Sequence, residues 1–204
     1  MKKILFSLGI VSLGLVAFKP ATELAIGSSL PKANSKLQDV SGKEISLQSS
    51  LNKNGLLVMF SCNTCPYVIK NQARTIEACN YAIKNGMGVV VLNSNEANRG
   101  GEDSFESMKA YAQQQGYKWN YAVDKNNEIA DAFGANRTPE CYLFNKEGKL
   151  VYHGAIDDSP SDAAAVQRQH LREAVNELNQ GKDVSVKTIK SKRVSALLKP
   201  VFYQ

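Results

Sequence analysis

The chain is short of the residues that would make it a stapled miniature, a zinc protein or a multi-span membrane protein. Four cysteines in 204 residues, Cys62, Cys65, Cys79 and Cys141, are too few for a disulfide scaffold, so the thiols are read for reactivity. The two histidines, His153 and His170, stand with Cys79 and Cys141 at scattered positions, without the paired spacing of a zinc knuckle. No uncharged apolar run reaches the roughly 20 residues of a spanning helix. There is no internal repeat and no low-complexity tract. What is present is ordinary: 43% hydrophobic and 22% charged residues exclude global disorder and leave room for a sizeable core. At roughly 100 to 200 residues per domain, the length fits one domain plus extras.

Charge is concentrated at the ends. Lys2, Lys3 and Lys19 begin the chain, and residues 182–204 carry six bases against Asp183, which leaves about −2 of the formal +6 for residues 20–181. The mildly acidic body argues against a nucleic-acid partner. Lys2-Lys3 precedes the uncharged run Ile4–Phe18, the pattern of an export signal with an apolar core of about 7 to 15 residues. Residues 1–27 are therefore expected to be a signal peptide or N-terminal anchor. Ala25-Ile26-Gly27, the best small-x-small triplet, lies far past the run, so an uncleaved membrane tether through residues 4–18 stays open. No Cys follows the run, which excludes a cysteine-linked lipid anchor. The destination implied is the periplasm, where thiols can be oxidised. Residues 28–181 are expected to form the domain, and residues 182–204 a basic C-terminal extension with no assigned role.

Within the domain, Lys36–Lys43 suggests a hairpin edge and Leu47–Leu51 one helical turn. Gly55–Phe60 is a continuous apolar run of the length of a strand buried on both faces. Helical spacing over residues 66–84 stops at Asn85-Gly86. Met87–Leu92 is a second buried strand, Asp103–Gln115 a helix opened by Glu102-Asp103-Ser104, Tyr117–Val123 a strand and Asn126–Phe133 a short helix. Strands Cys141–Phe144 and Leu150–Tyr152 flank the hairpin turn Asn145–Lys149, and Ser161–Asn179 reads as a long helix capped by Asp157-Asp158-Ser159-Pro160. Alternating strands and helices followed by a hairpin give an α/β fold, a central mixed β-sheet with helices on both faces.

The chemistry lies at Cys62 and Cys65. A Cys-x-x-Cys directly after a buried strand and opening a helix meets the unpaired N–H groups and partial positive charge of the helix N-terminus, which favour a thiolate, expected on Cys62. Two-residue spacing puts Cys65 in reach to resolve a mixed disulfide. Pro66 falls in the first turn, where a missing N–H costs nothing. Covalent haem attachment would require His at position 66. Cys79 and Cys141 read as core thiols, with an auxiliary disulfide, or exchange of Cys141 with the active pair, as the functional alternative.

With Phe60-Ser61-Cys62-Asn63-Thr64-Cys65-Pro66-Tyr67, with Arg137-Thr138-Pro139-Glu140 before Cys141–Phe144, and with Tyr152-His153-Gly154, the chain resembles the thioredoxin superfamily over residues 35–180 or so. More narrowly it resembles exported redoxins related to thiol-disulfide oxidoreductases and to the alkyl hydroperoxide reductase/thiol-specific antioxidant family. The resemblance implies a thioredoxin-like fold, Pro139 in cis against the redox pair, and Thr138 facing an extended substrate. It also implies protein thiols or disulfides as partners, an upstream thiol electron donor, and no cofactor beyond the redox-active disulfide.

Three departures matter. Ser61 and Asn63-Thr64 stand where many thioredoxins have Trp and Gly-Pro. The buried acid that thioredoxins carry in the strand before the motif has no counterpart among Leu56–Phe60. The Pro and Thr or Ser of peroxidase relatives are absent, since counting back seven and three from Cys62 gives Gly55 and Met59. Two alternatives nonetheless stay open: a thiol peroxidase with antioxidant activity, and a copper-binding chaperone using Cys62, Cys65 and His153. The copper relatives space their cysteines by three residues, which favours His153 as a strand-end residue. Reductant and oxidant share this motif, so the direction of electron flow is left open.

Overall fold

The computed structural model describes residues 22–189; most of the expected leader, and the tail from residue 190, lie outside the described residues. Seven strands, β1 (Leu37–Asp39), β2 (Glu44–Ile45), β3 (Leu56–Ser61), β4 (Gly88–Asn93), β5 (Asn120–Val123), β6 (Glu140–Phe144) and β7 (Leu150–Gly154), form one sheet in the order β2-β1-β5-β4-β3-β6-β7. The centre, β5-β4-β3, is parallel; β6, β7, β1 and β2 are added antiparallel, so the sheet is mixed as expected. All six residues of β3 are buried, because the strand is covered on both faces.

Alternation along β3 and β4 builds two cores. Leu57, Met59, Val89 and Val91 face helices α2 (Pro66–Lys84), α3 (Phe105–Gln114) and α5 (His170–Asn179) through Cys79, Ala82, Met108, Leu171 and Val175. Leu56, Val58, Phe60, Val90 and Leu92 face α1 (Leu47–Ser50) and α4 (Glu128–Phe133) through Leu47, Ile129 and Phe133. Phe60, Phe133 and Tyr142 meet edge to face at centroid distances of 5.0 to 5.6 Å. Helix α2 stops where Gly86 takes φ +75° and its N–H donates to Ile83 O at 2.9 Å. Among the described residues, no helix is long and apolar enough to cross a membrane.

The segment before α5 departs from expectation. In place of a helix from Ser161, one 3-10 turn spans Ala163–Ala165, and α5 begins only at His170. Side chains compete for the backbone here. Asp162 accepts from Ala164 N–H at 2.9 Å, while Asp158 accepts from Gln167 N–H at 3.1 Å and donates its own N–H to Arg168 O at 3.1 Å. Asp157 caps no helix either: its Oδ2 takes Arg74 Nη1 at 2.6 Å, tying α2 to the loop after β7. Segments at both ends pack on the body. Leu24 N–H donates to Phe133 O at 3.0 Å, and Ile189 N–H donates to His153 O at 3.0 Å with Val184 buried nearby in the core.

Candidate active site

The site is the turn between β3 and α2. The apolar strand delivers the chain to Cys62 at the top of the sheet; Pro66, with no N–H to lose, starts the helix, and Cys65 is its N-cap residue. Across from the turn, the loop before β6 brings Thr138 and Pro139, joined by a cis peptide bond. Cys62 Sγ lies 3.9 Å from Thr138 Oγ1, with the Cys65 thiol beside it. The expected site residues Cys62, Cys65, Thr138 and Pro139 are thus together, although 76 residues separate Cys62 from Thr138.

The two thiols differ in setting. Cys62 is 3% exposed and lines a small cavity with Ser94, Asn95 and Thr138, whereas Cys65 is half-buried at the helix end. The Cys62 thiol beside it is the main influence that lowers the Cys65 thiol, with the Thr138 hydroxyl and the N-terminus of α2 acting in the same direction. Cys62 is pushed far up by the same thiol–thiol bond with Cys65, by burial, and by the Asp103 carboxylate. The two thiols titrate together: their shared hydrogen bond favours loss of one proton from the pair and opposes loss of the second.

The turn is clamped by residues that sequence reasoning missed. Asn63 N–H donates to Asp103 Oδ1 at 2.8 Å, its Nδ2 donates to Glu102 O at 2.6 Å, and its Oδ1 accepts from Tyr121 Oη–H at 2.7 Å. Asp103, fully buried, also accepts from Asn93 Nδ2 at 2.6 Å and Asn95 Nδ2 at 2.8 Å. A buried acid therefore does stand beside the pair, delivered by the loop between β4 and α3. The sequence signal was Glu102-Asp103-Ser104, of which only Ser104 caps α3, by accepting from Ser107 N–H at 3.3 Å.

A second buried acid, Glu140, follows the cis-proline. Its Oε2 accepts from Asn136 N–H at 2.9 Å, and its Oε1 meets Arg137 Nε at 3.1 Å and His153 Nε2 at 2.7 Å. His153 is stacked on Tyr142 at 4.3 Å and is held in this cluster. Among the described residues, no group of three or more His, Cys, Asp and Glu side chains could hold a metal ion. That does not favour the copper-chaperone alternative. Cys79 and Cys141 are fully buried and not disulfide-bonded, and burial raises both thiols above their ordinary value.

The Redoxin family model matches residues 25–168. The chain belongs to the Redoxin family. The Redoxin match spans the strand, the turn with both thiols and the cis-proline loop. The thiol-disulfide oxidoreductase ResA of Bacillus thuringiensis (strain Al Hakam) is 25% identical over 134 residues, 66% of this chain and 72% of that protein. An uncharacterized conserved protein from Geobacillus kaustophilus is 32% identical, with a TM-score of 0.74 over 84% of this chain and 94% of that one. The thioredoxin domain of a thiol-disulfide oxidoreductase from Bacteroides vulgatus, 19% identical with a TM-score of 0.55 over 70% of this chain and 96% of that one, shares the fold. The Redoxin chain is a thioredoxin-superfamily protein with a thioredoxin-like fold.

Proposed function

We propose that Cys62 and Cys65 are the redox pair of a thiol-disulfide oxidoreductase that exchanges disulfides with protein thiols. The observation that carries this is the pair of neighbouring thiols, with Cys62 against the Thr138 hydroxyl, at a strand-to-helix turn facing a cis-proline loop. The Redoxin match and the thiol-disulfide oxidoreductases among the relatives support the same chemistry.

In the exchange, a thiolate of the pair attacks one sulfur of a partner's disulfide. A mixed disulfide forms, and the partner's other sulfur leaves as a thiolate that takes up a proton. The second thiol of the pair gives up its proton and attacks the mixed disulfide, closing the Cys62–Cys65 bond and releasing the partner as a dithiol. Two electrons pass to the partner, and an upstream thiol donor restores the pair by the same steps reversed. No cofactor takes part. Thr138 donates to the sulfur that carries charge, and Thr138-Pro139 lies where the partner's extended chain would run. The positive N-terminus and apolar run over residues 1–18 support action in the periplasm, either after export or on a tether.

Insulin reduction with dithiothreitol as donor tests this. The full chain is expected to accelerate it, and a Cys62→Ser/Cys65→Ser double variant to fall to the uncatalysed rate. Full activity in the double variant would overturn the assignment. Faster consumption of hydrogen peroxide than of disulfide would replace it with the peroxidase reading.

A further inference from the structure

We infer that the cavity shared by Asn95 and Cys62 is a site for one water, held by the Asn95 side-chain carbonyl, through which the Cys62 proton leaves when the pair is oxidised. This rests on the reading of the pair as a disulfide-exchange centre. It holds whichever of the two thiols meets the partner first, because Cys62 gives up its proton in either order.

The need comes from burial. Cys62 is 3% exposed, so whatever takes its proton has to reach it inside the protein. The cavity beside it measures about 10 Å³, the space of one water. Its lining includes the polar Ser94, Asn95 and Thr138 and the small Ala130 and Ala135.

Asn95 supplies the acceptor. Its Nδ2 donates to Asp103 Oδ2 at 2.8 Å, and a carboxylate only accepts, so the amide is oriented with its nitrogen on Asp103 and its oxygen turned elsewhere. The backbone N–H of Asn95 donates to Asn93 Oδ1 at 3.0 Å, which fixes the residue at a second point. Asn95 Oδ1 is buried, and among the described residues it has no hydrogen-bond partner. Buried acceptors are as a rule paired, with protein or with ordered water. The other oxygens nearby are engaged. Ser94 Oγ–H donates to Asp124 Oδ2 at 2.8 Å, and Asp103 takes Asn63 N–H and the side-chain amides of Asn93 and Asn95. Thr138 Oγ1, 3.9 Å from Cys62 Sγ, offers the water a second partner, and the Cys62 thiol is the third, within the two to four that a buried water makes. Asn95 is a positioning residue: it takes up no proton and acts through the water.

The step balances with no further reactant. The Cys62 S–H bond breaks toward the water, which passes a proton to solvent. The electron pair left on Cys62 Sγ forms the new S–S bond, either to a sulfur of the partner's disulfide or to Cys65 in the mixed disulfide. The displaced sulfur leaves with the electrons of the bond that breaks and takes up a proton from solvent.

Rapid mixing of the reduced full chain with one equivalent of dipyridyl disulfide tests this. Each of the two exchanges releases one pyridinethione, and the phase missing from Cys62→Ser is the one that Cys62 carries. Asn95→Ala removes the acceptor, whereas Ala135→Val fills the cavity and leaves the bond between Asn95 and Asp103 in place. Both are expected to slow the Cys62 phase about 10-fold or more and to leave the other phase unchanged. A turn that was merely loosened would change both phases. Unchanged rates, equal slowing of both phases, or slowing in only one of the two variants overturns the water site and leaves the exchange function standing. If the wild-type chain releases no pyridinethione, or Cys62→Ser matches it in both phases, the exchange reading itself fails.

Discussion

At the scale of single residues, the behaviour of the site comes down to how four identical side chains are made chemically different. Cys79 and Cys141 have lost water without gaining a positive partner, so burial, joined at Cys141 by the Glu140 and Asp157 carboxylates, keeps them protonated. Cys62 and Cys65 share a thiol–thiol hydrogen bond beside the Thr138 hydroxyl, which favours one thiolate in the pair. Alkylation requires thiolate, so one thiol of the pair is expected to be modified in the folded, reduced protein with a pH midpoint well below the ordinary 9.0. In urea the midpoint should return toward 9.0, with Cys79 and Cys141 reacting only there. A folded-state midpoint near 9.0 would show that the thiol–thiol bond does not favour a thiolate in the pair. The pair itself was legible in the sequence because its chemistry demands two thiols in local order between strand and helix. Asp103 was not: it reaches Asn63 from 40 residues away, and the same letters also open a helix.

At the scale of elements, buried runs and turn residues announced the strands and α2, since a strand covered on both faces has no choice but to be apolar throughout. The start of α5 was hidden because Asp158 and Asp162 satisfy backbone N–H groups outside a helix as well as they would at its cap. Helix α4 shows the reverse dependence. It is only six residues long and is begun by a side chain from outside it: Asp124 accepts from Ile129 N–H and Ala130 N–H, each at 2.9 Å, and from Ser94 Oγ–H at 2.8 Å. Asp124→Ala strands three buried donors and is expected to destabilise the fold by about 2 kcal/mol or more, read from the urea midpoint. A loss below roughly 0.5 kcal/mol, the size of an ordinary surface change, would show that α4 stands without this cap.

At the scale of the whole molecule, the sheet is fixed between two cores and the site sits where both end, so the thiols depend on contacts made far from them. Arg74 and Asp157, with side chains 14% and 2% exposed, join α2 to the loop after β7, and Arg74 also donates to Ser159 O and Pro160 O. Removing one partner leaves the other charge buried, so Arg74→Ala is expected to cost about 3 kcal/mol or more, with part recovered in the double variant Arg74→Ala/Asp157→Ala. No change in thermal midpoint would mean that α2 is held by its apolar face alone. The central claim, that Cys62 and Cys65 work as one couple, is tested most directly by titrating the full chain against glutathione buffers and counting free thiols by mass after alkylation. A single two-electron transition in which both cysteines change together is expected, lost in Cys62→Ser and in Cys65→Ser. Because a stabilised thiolate in the pair favours the reduced form, the potential of the couple should lie above the roughly −270 mV of thioredoxin. No transition, or one that persists unchanged in both variants, would contradict the account.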